Sequence, residues 1–120
     1  MRGKQTVETL APSIKNDVTV SEEHLARRLK ALGHPARLAL VRALASQPSC
    51  CGHLVRDLSG RHVMLAQSTV SQHLGILVDA GLVKRQRCGV EQLYTLNQAA
   101  LGETLRDIAG LSAYQNMDVC

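Results

Sequence analysis

Apolar residues recur at helical spacing in several stretches, and the clearest of these runs from Leu65 to Val83. Val70, Leu74 and Leu77 stand at i, i+4 and i+7, the spacing of an apolar stripe that faces a core. Gly81 follows where a C-terminal cap belongs, and the residues after it favour an extended backbone. The pattern predicts one helix followed by a turn into a strand.

The stretches before this helix predict three more helices. Ser21 and the two glutamates after it are typical of a helix start, and residues 1–20 show no sustained period, which indicates a mobile N-terminal arm. His34 caps a second helix with Pro35 at its first position, and this helix is apolar nearly all round, as expected at the centre of the fold. The apolar residues within 54–58 indicate a short third helix.

After the long helix, the pattern predicts a hairpin and a last helix. Residues 82–86 and 92–96 are predicted to be two strands, joined by a turn that contains Gly89. Asn97 is placed to cap a helix over residues 98–113. The predicted fold class is therefore mainly α with a two-stranded β-hairpin wing, a winged helix-turn-helix.

The first and last helices each carry an apolar stripe that one small core cannot cover. This pattern favours a homodimer that packs through both helices. The predicted interface residues are Leu25, Leu29, Leu32, Leu101, Leu105 and Ile108.

Length and composition indicate one domain and a polyanionic partner. The 120 residues are divided into the arm, a DNA-binding and dimerisation domain over 21–114, and a C-terminal tail over 115–120. The formal net charge of +4 favours a partner such as nucleic acid. No secretion signal or membrane span is expected, so we expect a cytoplasmic protein, whose four cysteines are more typical of ligands or sensors than of structural disulfides.

The polar side of the long helix predicts contacts with DNA. Uncharged hydrogen-bonding side chains suit base edges in a major groove, although Ser and Thr are also common wherever helices begin. Basic residues in the following strand are placed to neutralise phosphates, although edge strands also carry them against aggregation. The predicted DNA-binding residues are Gln67, Ser68, Thr69, Ser71, Gln72, His73, Lys84, Arg85 and Arg87.

Two segments resemble hallmarks of one protein family. AQSTVSQHLGILVDAGLV (66–83) with the basic residues after it resembles the recognition helix and wing of the ArsR/SmtB family, and LKALGHPARLALVRAL (29–44) resembles the family's other conserved helix. The linker 59–65 is longer than the family's usual tight turn. The resemblance implies a dimeric bacterial repressor that binds double-stranded operator DNA at two half-sites about 34–36 Å apart, and that releases it on binding a metal or metalloid.

Adjacent thiols are the candidate sensor. Cys50 and Cys51 are expected at a helix start behind a Ser49 cap, where unpaired N–H groups favour anions and should lower the thiol pKa values. The alternative interpretation is a pair of small buried apolar residues.

Soft thiolates select soft ions, and the resemblance implies trivalent arsenic or antimony as the inducer, without an organic cofactor. Such ions are held best by three thiolates, so we predict a site of Cys50, Cys51 and Cys120, formed within one subunit or across the dimer, in preference to one with Cys88. The alternatives are a zinc sensor that also uses His53, and a sensor of redox state or polysulfide that pairs one cysteine with Cys88 or Cys120.

An enzyme is not predicted. The chain has no G-x-S-x-G motif, no glycine-rich phosphate loop and no sign of a paired-carboxylate cleft, and a Cys50–His53 pair would lack an orienting third group. A protein-interaction module that has lost DNA binding is disfavoured by the polar helix face and the basic wing.

Overall fold

The computed structural model describes residues 13–112, with side chains from Ser21 onwards. In this range it contains five helices, α1 (Ser13–Leu32), α2 (Pro35–Ser46), α3 (Cys51–Gly60), α4 (Gln67–Asp79) and α5 (Gln98–Leu111), and three strands, β1 (Ser49–Cys50), β2 (Val83–Cys88) and β3 (Glu91–Leu96). The strands form one antiparallel sheet in the order β1-β3-β2. This architecture confirms the predicted winged helix-turn-helix.

The core consists largely of leucines from α2, α3 and α4, covered by the start of the hairpin. The predicted stripe of Val70, Leu74 and Leu77 is fully buried, and so are Leu40 of α2 and Leu54 of α3. Burying a side chain of this size stabilises the fold by about 1.5–3 kcal/mol. One face of α4 is therefore fixed by packing against the core, and its other faces remain available for contacts with a partner.

Three predicted caps are confirmed. His34 Nδ1 accepts a hydrogen bond from the Ala36 amide at 3.1 Å, and Asn97 Oδ1 accepts one from the Ala100 amide at 3.2 Å. Gly81 has a φ of +80°, the left-handed conformation that ends many helices. Asn97 also donates through Nδ2 to the Gly81 carbonyl at 3.0 Å, so one side chain connects the end of α4 to the start of α5.

The first helix begins earlier than predicted. The structure continues α1 back to Ser13, so the predicted start at Ser21 is wrong, and residues 13–20 are helical rather than part of an irregular arm. Ser21 and the glutamates after it are exposed within the helix, where polar residues are tolerated. Residues 1–12 and the predicted tail 115–120 lie outside the described residues.

A two-residue strand was missed. β1 pairs with β3, with Ser49 opposite Tyr94 and Cys50 opposite Leu93, which makes the predicted two-stranded wing part of a three-stranded sheet. Ser49 does not cap α3 as predicted, because its hydroxyl donates to the Gln47 carbonyl at 3.4 Å. The N-cap is Cys50, which makes no side-chain capping bond. A strand of two residues is too short to show a period of two.

The long linker begins as the last residues of α3 and continues as a capping turn and a short irregular segment. α3 extends to Gly60, and the amides of Arg61 and Val63 both donate to the Leu58 carbonyl, at 2.9 and 2.8 Å. His62 takes a left-handed φ of +66° in this turn. The first two linker residues therefore lengthen α3, and residues 61–66 form a turn and an irregular segment that lead into α4.

A buried arginine joins α1 to α5. Arg28 is only 8% exposed, and its Nη1 lies 2.7 Å from Glu103 Oε1, 3.4 Å from Thr104 Oγ1 and 3.5 Å from the Ala100 carbonyl. The fully buried Thr104 hydroxyl donates in turn to that carbonyl at 2.8 Å. This cluster fixes the angle between the two helices that carry the unpaired apolar stripes.

The predicted interface stripes are divided between the core and the surface. Leu32 and Leu101 are half-buried against the core, and Leu25 is also half-buried. Leu105 is 60% exposed, and Leu29 and Ile108 are exposed to lesser degrees. Leu111, which the sequence analysis did not include, adds a further exposed apolar side chain at 72%.

We expect Asn97→Ala to lower the free energy of unfolding by about 1–2 kcal/mol, because it removes both the α5 cap and the bond to Gly81. Asn97→Asp is the matched control, since it keeps the cap acceptor and loses only the donor. Urea unfolding followed by circular dichroism measures both changes. Equal losses in the two variants would show that the cap itself contributes nothing.

Candidate nucleic-acid interface and thiol site

The exposed surface of α4 is divided into an outward face and two flanks. Successive residues of a helix are about 100° apart, so the side opposite the buried stripe carries Ser68 and Gln72, with Ile76 and Asp79 one to two turns on. All four side chains are exposed, and Thr69 is half-buried beside them. Of the residues predicted to read bases, Ser68 and Gln72 therefore stand at the centre of the exposed face.

Gln67 and Ser71 lie on the flank that faces the candidate sensor. They line a cleft of about 420 Å³ between the start of α3, the start of α4 and the hairpin. Both candidate thiols, Cys50 and Cys51, line the same cleft. Its full lining is Cys50, Cys51, Gly52, Arg56, Gln67, Ser71, Val90, Glu91, Gln92 and Tyr94.

A direct contact connects Cys51 to the first residue of α4. Cys51 Sγ donates to the carbonyl oxygen of Gln67 at 3.7 Å, and these two residues are the first of α3 and of α4. Sequence analysis could not find this contact, because it joins residues sixteen positions apart and uses a backbone oxygen. Arg56 and Tyr94 of the same cleft were missed for a similar reason, since neither lies near the cysteines along the chain with a recognisable spacing.

The expected lowering of the Cys51 thiol pKa is wrong. Burial raises the pKa of this thiol above its ordinary value of 9.0, and the neighbouring Cys50 raises it further. The effect of Cys50 also indicates that the two sulfurs lie within electrostatic range of each other. A thiol held in protonated form is a hydrogen-bond donor, which agrees with its contact to Gln67.

Among the described residues, the cleft holds two thiols, Cys50 and Cys51, with no third ligand grouped beside them. In the range 13–112 no three His, Cys, Asp or Glu side chains are grouped to hold a metal ion, so His53 does not complete a three-ligand set with Cys50 and Cys51 in this structure. Cys120 lies outside the described residues. The site as described therefore fits two of the three thiolates that a trivalent arsenic or antimony ion prefers.

Cys88 lies at the far side of the sheet from the thiol pair. Leu93 is opposite both Cys50 and Gln86, and Cys88 is two residues beyond Gln86 on β2. Two strand spacings separate β1 from β2 by about 10 Å. Because a disulfide needs Cα atoms within about 7 Å, Cys88 cannot pair with Cys50 without movement of the backbone.

His73 lies on the opposite flank and contacts α2 instead of pointing outward. Its ring centroid is 4.5 Å from that of His34, and Arg37 Nη1 lies 3.1 Å from its Nδ1. A guanidinium can only donate, so Nδ1 accepts and the neutral ring carries its proton on Nε2. Its position three residues after Val70 and four before Leu77, beside the apolar stripe, was the sequence signal for this inward contact.

The basic wing residues are all exposed, and strand register divides them between two faces. Arg85 lies opposite Tyr94 and Arg87 opposite Gln92, and residues directly opposite in an antiparallel pair share a face. Since Tyr94 and Gln92 line the thiol cleft, both arginines lie on the face of the sheet toward α4. Lys84 lies on the other face.

Comparisons with known proteins agree with this geometry. A family model described as bacterial regulatory protein, arsR family, matches residues 34–85. The biofilm growth-associated repressor of Xylella fastidiosa is 31% identical over 91 residues, which are 76% of this chain and 75% of that protein. The arsenical resistance operon repressor of Staphylococcus aureus is 29% identical over 101 residues, or 84% and 92% of the two chains.

A similar solved structure is described as a possible transcriptional regulator for arsenical resistance. It superposes with a TM-score of 0.61 at 27% identity and covers 71% of this chain and 83% of its own. These relatives are described as repressors or transcriptional regulators, and none of them as an enzyme. Within residues 13–112, the helices are too short or too polar to cross a lipid bilayer.

The geometry around His73 predicts a pH effect. Burial lowers the pKa of His73 below its ordinary value of 6.5, and the nearby charges of His34 and Arg37 lower it further. Between the lowered and the ordinary pKa, the unfolded chain binds more protons than the folded one, so stability falls as pH decreases below about 6.5. We expect ¹⁵N NMR to show an Nε2–H tautomer at neutral pH and a His73 pKa that rises in Arg37→Met. A tautomer protonated on Nδ1 would contradict the assigned contact.

Proposed function

Since the chain belongs to the arsR family of bacterial regulatory proteins, we propose that it represses transcription as a homodimer on an inverted-repeat operator and releases this DNA when trivalent arsenic or antimony binds its cysteines. In this proposal the exposed side chains of Ser68 and Gln72 read base edges, and those of Arg85 and Arg87 hold phosphates. The observation that carries the proposal is the contact between Cys51 Sγ and the Gln67 carbonyl.

The contact supplies a route from inducer to DNA. When a thiol condenses with arsenite, the sulfur loses its hydrogen and forms a bond to arsenic. Cys51 then has nothing to donate to Gln67, and the lone pairs of sulfur and of the carbonyl oxygen repel each other. The first turn of α4 is displaced, and Gln72 loses its alignment with the groove one turn further on.

The protonation state of Cys51 favours arsenite over zinc. In condensation with As(OH)₃, each thiol hydrogen leaves with a hydroxyl group as water, so a raised thiol pKa costs little. Zn²⁺ must instead displace a proton into solvent, which a raised pKa opposes. A protonated, half-buried thiol also reacts slowly with oxidants, which disfavours the redox and polysulfide alternative.

We propose that Cys120 supplies the third thiolate. It would come either from the same subunit as Cys50 and Cys51 or from the other subunit of the dimer. It is the remaining cysteine once Cys88 is set aside for its distance from the pair across the sheet. The described residues contain no other grouped ligand.

Single Cys→Ser variants test the sensor. We expect Cys50→Ser and Cys51→Ser to abolish arsenite-driven release from operator DNA in a fluorescence anisotropy assay, and Cys120→Ser to weaken it. Cys88→Ser is the matched control and should respond like wild type. The ligand assignment would be overturned if Cys88→Ser no longer released operator DNA on addition of arsenite while Cys120→Ser responded fully. Release by zinc or polysulfide, but not by arsenite or antimonite, would support the alternative inducers.

Homodimerisation is proposed from the apolar side chains that α1 and α5 leave uncovered. Leu29, Leu105, Ile108 and Leu111 are all exposed, although the Arg28 cluster orders the two helices that carry them. A second copy packed on this surface would remove it from water and would set the spacing of two recognition helices.

We expect Leu105→Glu to give monomers, because it places a charge in the apolar interface. Ala99→Glu, which adds the same charge on an exposed part of α5 away from the stripe, should remain dimeric. Sedimentation velocity at micromolar concentration distinguishes the two species. A monomeric wild-type chain would contradict the proposed dimer.

A further inference from the structure

A helix lying in a major groove has a sugar-phosphate backbone on each side of it. The groove is about 12 Å wide and an α-helix with its side chains is about 10–12 Å across, so both flanks of the helix approach phosphates. In this protein the wing arginines lie beside the flank that carries Gln67 and Ser71. The opposite flank, which carries His73, would face the other sugar-phosphate backbone.

A second cleft with three cations lies on that flank. It has a volume of about 630 Å³ and lies between the last turns of α1, the first turn of α2 and the second half of α4. The cations are Arg27, Lys30 and Arg37. The rest of the lining is Ala31, Ile76, Asp79 and Ala80.

The structure holds one of these cations in place and leaves the other two free to reach outward. Arg37 Nε donates to the Ala31 carbonyl at 2.6 Å, and its Nη1 contacts His73 at 3.1 Å. Arg27 and Lys30 are exposed, and neither forms an ion pair with a described residue. Two exposed cations without an ion-pair partner among the described residues, beside a third held by hydrogen bonds, suit an incoming anion.

We propose that the Arg27–Lys30–Arg37 cleft binds a backbone phosphate of the DNA strand opposite the one held by the wing. The inference rests on the proposed DNA binding and adds a second electrostatic contact to it. The cleft opens beside Ile76 and Asp79, which belong to the outward face of α4, so an anion there lies at the edge of the DNA-facing surface. α4 would then lie between two phosphate-binding surfaces, which agrees with the position of a helix in the major groove.

The carboxylate of Asp79 would repel a phosphate in this cleft, and this repulsion can be tested. Asp79 lines the cleft and carries a negative charge toward the bound phosphate. The cleft therefore has two net positive charges from three cations. Its electrostatic contribution should increase when Asp79 is neutralised.

The test is the salt dependence of DNA affinity in the full-length dimer. We expect the double variant Arg27→Gln/Lys30→Gln to bind operator and non-specific duplex about tenfold more weakly at moderate salt, and to reduce the slope of log Kobs against log salt by about two. Asp79→Asn should bind both duplexes a few-fold more tightly. Sedimentation and circular dichroism confirm that each variant remains a folded dimer.

The control Arg42→Gln/Arg106→Gln removes the same charge from exposed positions outside both clefts, and it should leave the slope near the wild-type value. Arg85→Gln serves as the wing reference and should reduce the slope by about one. An unchanged slope in Arg27→Gln/Lys30→Gln, beside a reduced slope in Arg85→Gln, would overturn the cleft assignment alone. Wild-type protein that binds no duplex would instead overturn the proposed function.

Discussion

The hydrogen bond from Cys51 Sγ to the Gln67 carbonyl joins the proposed thiol sensor directly to the proposed recognition helix. Its donor is the first residue of α3 and its acceptor the first residue of the recognition helix. The bond requires a protonated sulfur, and burial together with Cys50 keeps that sulfur protonated by raising its pKa. A ligand that replaces the hydrogen on this sulfur removes the bond, and in the proposed mechanism this loss couples occupancy of the thiol site to the position of α4.

The surrounding packing makes this coupling effective. Val70, Leu74 and Leu77 fix α4 against the core, and Asn97 connects its C-terminal end to α5. The N-terminal turn of α4 has no side-chain cap of its own. The helix is therefore held firmly along its length and weakly at the end that touches the sensor, so a small change at Cys51 can change the alignment of Gln72.

The sequence predicted most of the fold because strong local signals marked it: the stripe at Val70, the caps at His34 and Asn97, and the turn at Gly81. It failed where tertiary contacts decide the outcome. The strand at Ser49 exists only because β3 lies beside it, and the thiol pKa of Cys51 depends on burial that no local spacing reveals. The site was predicted as a set of residues, but its division into a base-reading face, a thiol flank and a histidine flank required the structure.

The most direct test of the central claim is the affinity for arsenite measured with and without saturating operator DNA. If both ligands act through the Cys51–Gln67 contact, reciprocity requires operator DNA to weaken arsenite binding by the same factor by which arsenite weakens operator binding. Isothermal titration of the wild-type dimer, free and bound to operator, should show this equal reduction. Equal arsenite affinities in the two states would contradict the account, because the thiol site and the recognition helix would then be energetically independent.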